Sequence, residues 1–365
     1  MNRAAKRLLL SLAAGAAAFA FAELAVRRLR PEPLGMVILA PNGERVPGGE
    51  IAHFLAHMAD FERNVNQDIA PPHGHLLAHA HVRFQYPNAR WPYFDENRCV
   101  RLDINSLGFR DDEFVVDKQP GELRVLALGD SFTQGQGVQL ADSWPQVLER
   151  ELARLHAGPV QVINGGFATG HHSPDGYDAW MASDGLLLHP DLVIVGLCLN
   201  DLCNDVPMLS YPVAHPRQVL GSVLLGEIAR MFEQRRLMAA HRAHPPDYAQ
   251  LVRDQPQQWQ GVQRGLRELQ AMLQREHVPL VVAIFPMLSE YDADPYPYEG
   301  LHTLAREFCK TAGIRCVDLR QVFHGRVEED LWVDLTDQHP NDVGHRLMAF
   351  AIRDYLLAEG LAQPR

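Results

Sequence analysis

One stretch of the sequence, VLALGDSFTQGQG from Val125, combines an apolar run, an abrupt turn and a serine among glycines. Such a turn serves one of two chemistries: its backbone N–H groups cradle a phosphate, or its serine acts as a nucleophile. The glycine spacing matches neither GxxxxGK[ST] nor GxGxxG, no lysine lies between Asp130 and Leu140, and the Asp130 carboxylate would repel a phosphate. The GxSxG elbow of α/β-hydrolases is also absent. The residues therefore favour Ser131 as a nucleophile, which needs a base and oxyanion donors from elsewhere in the chain.

The elements that must position this serine alternate between apolar strands and helices from residue 124 onward. Helices are predicted over 145–156, 176–183, 259–276, 300–311 and 344–358. Strands are predicted over 124–128, 160–163, 192–197, 280–285 and 314–319. This alternation indicates an α/β fold with a parallel sheet that is covered by helices on both faces.

The other polar segments of this region fall at the ends of predicted strands. GDSFTQGQG follows the first strand, NGGFATGHH the second and CLNDL the third, while DLTDQHPNDVGH precedes the last helix. In open parallel sheets the chemistry lies at the carboxyl ends of the strands. We therefore expect these four segments to come together at one edge of the sheet.

The four segments resemble the conserved blocks of the SGNH/GDSL hydrolase family. Gly129-Asp130-Ser131 is similar to the first block, Asn164–Gly170 to the second, Asn200-Asp201 to the third and His339-Pro340-Asn341 to the last. The resemblance covers about residues 124–356, and INSLGFRD from Ile104 resembles a segment that precedes the catalytic domain in membrane-anchored members. It implies a flavodoxin-like three-layer α/β/α sandwich and a serine esterase that uses no metal or cofactor.

The resemblance also implies a role for individual residues. Ser131 would attack the ester carbonyl, and His339 would take its proton and return it to the leaving alcohol. The oxyanion donors would be the backbone N–H groups of Ser131 and Gly170 and the side chain of Asn200. Gly170 lies one residue further from Asn164 than is usual in the family, so Gly166 stays open as an alternative donor.

The acidic member of the triad departs from the family pattern. Family members usually place it three residues before the histidine, where this chain has Thr336. Asp337 lies two residues before His339, and Asp334 lies five before it. Residues two apart in an extended segment lie on the same side, so we expect Asp337 to hold the imidazole, with Asp334 as the alternative.

The N-terminal segment is predicted to be a membrane anchor. Leu8–Val26 is apolar except for Ser11 and Glu23, and about 20 apolar residues span a bilayer core. A cleaved signal peptide and a buried helix are the alternatives. Basic residues flank both ends equally, so the orientation follows only from the resemblance, which places the catalytic domain outside the cytoplasm, in the periplasm.

The charge and the cysteine and histidine patterns argue against two classes of function. The net charge of −11 argues against a nucleic-acid partner. The five cysteines form no CxxC pair, and the His73–His81 histidine group lacks nearby acidic or cysteine partners, so neither predicts a metal site.

We expect an anchor over 1–30, an irregular or β-like region over 31–120, and a hydrolase domain over 121–365 with a helical insertion at about 204–256.

The predicted function is ester hydrolysis through an acyl-enzyme, on an acylated carbohydrate or a small acyl ester. An acyltransferase would use the same nucleophile and stays an alternative. A carbohydrate-binding or assembly protein that keeps the fold without catalysis is a second alternative, and a nucleotide-binding α/β protein is a third.

Overall fold

The computed structural model describes most of the chain in two compact units. One unit contains the N-terminal helix and a second long helix from the middle of the chain, and the other contains every strand. The described residues are 3–29, 36–40, 42–46, 71–86, 89–167, 174–203, 219–243, 246–290, 293–335 and 337–362.

A five-stranded parallel sheet forms the centre of the strand-containing unit. Its buried strands are rich in Val, Leu and Ile, as expected for a sheet with both faces covered. Their order is β5-β4-β6-β7-β8, so later strands are added on the opposite side of β4 from β5. Doubly wound sheets bind ligands at the point where the strand order reverses in this way. This order confirms the flavodoxin-like prediction. The strands are β4 (Leu123–Gly129), β5 (Val160–Gly166), β6 (Leu192–Cys198), β7 (Leu280–Phe285) and β8 (Arg315–Asp318).

The helices of this unit flank the central sheet. Six of them have bounds α2 (Ser131–Gln134), α3 (Trp144–Ala153), α4 (Tyr177–Ser183), α7 (Pro256–Arg275), α8 (Glu299–Ala312) and α9 (Asp342–Ala358). A further helix, α6 (Tyr248–Asp254), begins after an Asp247 cap and lies within the range of the predicted helical insertion. The five predicted helices lie within four residues of the observed bounds, because their apolar periodicity is strong.

A small antiparallel sheet precedes the central sheet in the chain. It consists of β1 (Val37–Leu39), β2 (His81–Gln85) and β3 (Cys99–Asp103), in that order. Its strands alternate, so that Val82, Phe84 and Leu102 point into a hydrophobic cluster of their own. Val333, which comes from the C-terminal part of the chain, belongs to the same cluster. The small sheet is therefore packed against the segment that carries the polar residues DLTDQHPN.

That C-terminal segment forms a two-stranded hairpin where the sequence analysis expected an extended loop. Its strands are β9 (Trp332–Asp334) and β10 (Asp337–Pro340), and Asp337 lies opposite Asp334. In β10, Gln338 and Pro340 are buried while Asp337 and His339 lie on the other side. The hairpin thus presents an aspartate and a histidine on one face of a strand.

The second compact unit corrects the prediction of a membrane anchor. Its helices α1 (Arg3–Leu29) and α5 (Val223–Ala243) contact each other. Among the residues that the structure describes, no helix is both long enough and apolar enough to cross a membrane, so the predicted anchor is wrong. The predicted bilayer run is rich in alanine, which contributes little apolar surface.

Glu23 has a structural role in this unit. Its carboxylate accepts hydrogen bonds from the N–H groups of Val223 and Leu224, both at 2.9 Å, and from the Ser222 hydroxyl at 2.7 Å. These bonds lower the pKa of Glu23 to about 2. A carboxylate at this position satisfies the unpaired N–H groups that open α5 and complements the helix dipole.

Candidate active site

Glycines let the short helix α2 lie directly over the carboxyl end of the central sheet. A Cβ on Gly166 of β5 would lie 2.1 Å from the Gln134 nitrogen, and one on Gly196 of β6 would lie 2.5 Å from the Thr133 hydroxyl oxygen. Both distances are shorter than atoms can approach. The small residues beside β4 are therefore required by the close packing of α2.

Ser131 is the first residue of α2 and follows the end of β4 by two positions. Asp130 caps this helix, because its carboxylate accepts the Phe132 N–H at 2.9 Å. Burial raises the pKa of Asp130. The cap and the neighbouring strands hold the serine at the start of the helix, partly exposed at the sheet edge.

The structure brings Ser131, His339 and Asp337 into one hydrogen-bonded line. His339 Nε2 lies 2.8 Å from Ser131 Oγ, and His339 Nδ1 lies 2.5 Å from Asp337 Oδ1. The same Asp337 oxygen also accepts the His339 backbone N–H at 3.1 Å. The β10 register accounts for this contact, since residues two apart in a strand lie on the same face.

Burial and charge shift the pKa values of Asp337 and His339 in opposite directions. The side chains of Asp337 and His339 expose only 10% and 13% of their surface. Burial alone would raise the pKa of Asp337, but the adjacent His339 outweighs it and the pKa lies below its usual range. Burial would likewise lower the pKa of His339, but Asp337 opposes it and the net pKa lies above its usual range. The arrangement stabilises an imidazolium beside a carboxylate.

The alternative acid, Asp334, does not occupy the position beside the imidazole. It lies on β9, with 1% of its surface exposed, and Asp337 is the carboxylate bonded to His339 Nδ1. The second Asp337 oxygen accepts the hydroxyl of Tyr86 at 2.9 Å. Thr336, which stands at the family's usual position, lies outside the described residues.

The structure describes some of the expected oxyanion donors and not others. Asn200 follows the end of β6, the strand next to β4, so it lies at the same sheet edge as Ser131. Its side-chain oxygen is buried without a hydrogen-bond partner among the described residues. Gly170 lies outside the described residues. Gly166 is a poor alternative donor, because its N–H is already bonded to the Asn164 side chain at 3.0 Å.

Comparison with known proteins identifies the family. Residues 127–347 match the model of the GDSL-like lipase/acylhydrolase family, which is more than half of the 365 residues. The chain belongs to this family. It is a hydrolase that acts on ester bonds. The matched region contains α2, β10 and the central sheet, apart from the first four residues of β4.

Solved structures include three similar esterases and hydrolases. An α/β hydrolase from the metagenome of Lake Arreo is 18% identical, with a TM-score of 0.41, over 66% of this chain and 96% of its own. A lipase/acylhydrolase from Enterococcus faecalis is 14% identical, with a TM-score of 0.39, over 67% and 98%. A variant of an acetyl-xylooligosaccharide esterase from Geobacillus is 15% identical, with a TM-score of 0.40, over 65% and 93%. No curated protein matches the chain.

Sequence reasoning missed a buried arginine that holds the loop after Ser131 in this GDSL hydrolase. Arg110, in the INSLGFRD segment, donates to the carbonyl oxygens of Gln134 at 2.7 Å and Val138 at 2.6 Å, and also to that of Gly135. Burial lowers its pKa to about 10, so the guanidinium keeps its charge at neutral pH. The only sequence signal was the resemblance of its segment to one that precedes the catalytic domain in other members.

No group of three His, Cys, Asp or Glu side chains within the described ranges is arranged to hold a metal ion. His345, which follows the His339-Pro340-Asn341 segment, has a structural contact instead. Its Nδ1 accepts the Trp144 N–H at 3.2 Å, at the first residue of α3, and the ring is fully buried. Burial lowers the pKa of His345 to about 3. The neutral imidazole is therefore the form that the folded protein holds.

This buried histidine predicts a loss of stability in acid. Between its folded pKa of about 3 and the ordinary value of about 6.5, His345 binds a proton only in the unfolded chain. Its contribution to the free energy of unfolding therefore falls by about 1.4 kcal/mol for each pH unit below 6.5. His345→Asn places its Oδ1 where Nδ1 accepts the Trp144 N–H, and it cannot titrate. Urea unfolding at pH 7, 6 and 5 should show the difference between the two proteins shrinking by about half that amount between pH 7 and 6, and by nearly the full amount between pH 6 and 5. A constant difference would contradict it.

Proposed function

We propose that this GDSL hydrolase cleaves its ester through a covalent acyl-enzyme, with Ser131 as nucleophile, His339 as general base and acid, and Asp337 as the acid that orients the imidazole. The observation that carries the proposal is the continuous line of contacts from Asp337 Oδ1 to His339 Nδ1, and from His339 Nε2 to Ser131 Oγ. Nucleophile, base and orienting carboxylate at hydrogen-bond distance define a serine triad.

The proposed reaction has two halves. In the first, Ser131 Oγ attacks the ester carbonyl while its proton moves to His339 Nε2, and the C–O bond then breaks as the histidine returns that proton to the leaving alcohol. In the second, His339 takes a proton from water as the water oxygen attacks the acyl carbonyl. The bond between the acyl carbon and Ser131 Oγ then breaks as His339 returns that proton to Oγ, and the carboxylic acid leaves. Asp337 stays ionised throughout and stabilises the imidazolium that forms in each half.

The oxyanion of each tetrahedral intermediate needs donors that are fixed in advance. We assign this role to the backbone N–H of Ser131, the backbone N–H of Gly170 and the side chain of Asn200. The assignment is supported by the position of Ser131 at a helix start, where N–H groups have no intrahelical partner, and by the place of Asn200 at the same sheet edge. One such donor contributes about 10²–10³ in kcat.

The proposed substrate is an acylated carbohydrate or another small acyl ester. Membership in a family of lipases and acylhydrolases supports an acyl ester, and the names of similar structures include an esterase of acetylated xylooligosaccharides. A panel of para-nitrophenyl esters of graded chain length, together with acetylated xylooligosaccharides, separates these cases. Higher kcat/KM on the glycan than on every simple ester would support the carbohydrate.

Covalent labelling tests the nucleophile directly. A para-nitrophenyl phosphonate should react once per chain and release one equivalent of nitrophenol, because an activated serine displaces the leaving group as it would attack an ester. Peptide mass spectrometry should locate the adduct on Ser131. His339→Ala should abolish labelling, since the hydroxyl then lacks its base. An adduct on another serine, or labelling that survives in the histidine variant, would refute the assignment.

A further inference from the structure

We propose that Tyr86 is a positioning residue for the triad acid, and that the small N-terminal sheet is therefore part of the catalytic apparatus. The proposal rests on the proposed function, because it assigns a partner to Asp337. Tyr86 lies 41 residues before the start of the region that matches the family, which begins at residue 127.

The contacts of Asp337 carry the first step. Its Oδ1 accepts two N–H groups of His339, the ring Nδ1–H and the backbone N–H. Its Oδ2 accepts the Tyr86 hydroxyl at 2.9 Å. The carboxylate is thus held at both oxygens, and rotation about its Cβ–Cγ bond would break a bond at each end. Tyr86 fixes the plane in which the carboxylate meets the imidazole.

The tyrosine is itself held firmly. It directly follows β2, it has no exposed surface, and its backbone N–H donates to the Arg98 carbonyl at 3.0 Å. Its ring lies 5.5 Å from that of Phe94, within the cluster that the small sheet shares with Val333 of the hairpin. The hydroxyl therefore cannot leave Asp337 unless the small sheet moves relative to the hairpin.

The charge state of Tyr86 suits a permanent donor. Burial first, and then the negative charge of Asp337, raise its pKa well above the ordinary value. The hydroxyl keeps its proton throughout the working range of a histidine base. A phenol cannot replace a carboxylate as the partner of the imidazole, so its effect reaches the reaction only through Asp337.

Tyr93 supplies a matched control. It lies in the same N-terminal region, the centre of its ring lies 4.7 Å from that of Phe94, and its hydroxyl is buried without a hydrogen-bond partner among the described residues. Tyr93→Phe and Tyr86→Phe each remove one buried hydroxyl and keep the ring. They differ in whether that hydroxyl bonds to the triad acid.

The test measures hydrolysis of para-nitrophenyl acetate by the full chain, with active sites counted by phosphonate titration so that kcat refers to folded enzyme. A hydrogen bond to a charged group is strong enough that Tyr86→Phe should lower kcat about tenfold to a hundredfold, with KM unchanged. Tyr93→Phe should stay within about twofold of the wild type, because it breaks no hydrogen bond.

A double-mutant cycle separates positioning from a general effect on structure. In the Asp337→Asn background the correct carboxylate is gone, so adding Tyr86→Phe should lower kcat by less than about twofold. Fully additive losses, or equal losses in the two tyrosine variants, would overturn the inference. If Tyr86→Phe is neutral while Asp337→Asn is damaging, the inference fails and the triad stands. If Asp337→Asn is neutral as well, the proposed triad fails with it.

Discussion

Ser131→Ala is expected to lower kcat for ester hydrolysis by about 10⁴–10⁶. The variant loses the atom that bonds to the acyl group, while the oxyanion donors and the substrate contacts remain. Since those parts still act on water, some hydrolysis above the uncatalysed rate should persist. Initial rates on para-nitrophenyl acetate, measured over a range of enzyme concentrations, give the comparison.

Stability distinguishes this result from unfolding. Among the described residues Ser131 Oγ makes one side-chain hydrogen bond, to His339, so the thermal midpoint of the variant should lie within about 3 °C of the wild type. Ser143→Ala is the matched control, because its hydroxyl bonds to the Leu140 carbonyl in the turn before α3, whereas the Ser131 hydroxyl bonds to His339. It should retain wild-type kcat. Retention of more than about a tenth of wild-type activity in Ser131→Ala, against the loss expected of a nucleophile, would rule out that role.

Asp337→Asn is expected to lower kcat by about 10²–10⁴. The amide keeps the size of the carboxylate but has no charge to stabilise the imidazolium. Its NH₂ group, if directed at His339 Nδ1, favours the tautomer that carries its proton on Nε2, where the Ser131 proton must be accepted. The loss should therefore appear in kcat on para-nitrophenyl acetate, with the circular dichroism spectrum of the folded protein retained.

Asp334→Asn is the control that the hairpin offers. Asp334 lies opposite Asp337 in the β9–β10 pair, and its substitution by Asn also replaces a carboxylate with an amide. The imidazole, however, bonds to Asp337. Its substitution should cost far less in kcat, although its burial predicts some loss of stability. If Asp334→Asn were the more damaging of the two, the triad acid would be misassigned. If neither mattered, Ser131 and His339 would act as a dyad.

The pattern along the sequence determined the architecture of the hydrolase domain. Strand and helix periodicity depends on neighbouring residues alone, so β7 was predicted with the bounds that the structure has, and the family followed from motifs at the strand ends. Even the contact between Asp337 and His339 is local, since residues two apart in any extended segment share a side. Fold class and family needed no knowledge of distant contacts.

Contacts between distant residues were decided only by the tertiary structure. Tyr86 and Asp337 are separated by 251 positions, and Arg110 reaches a loop 24 to 28 residues away, so no local pattern marks either contact. The N-terminal helix shows the same limit. Its apolar composition suggested a bilayer, whereas its one acidic residue near the end, Glu23, caps a helix that begins 200 positions later. Hydropathy reports how apolar a segment is, and only the folded chain specifies which partner its polar groups bind.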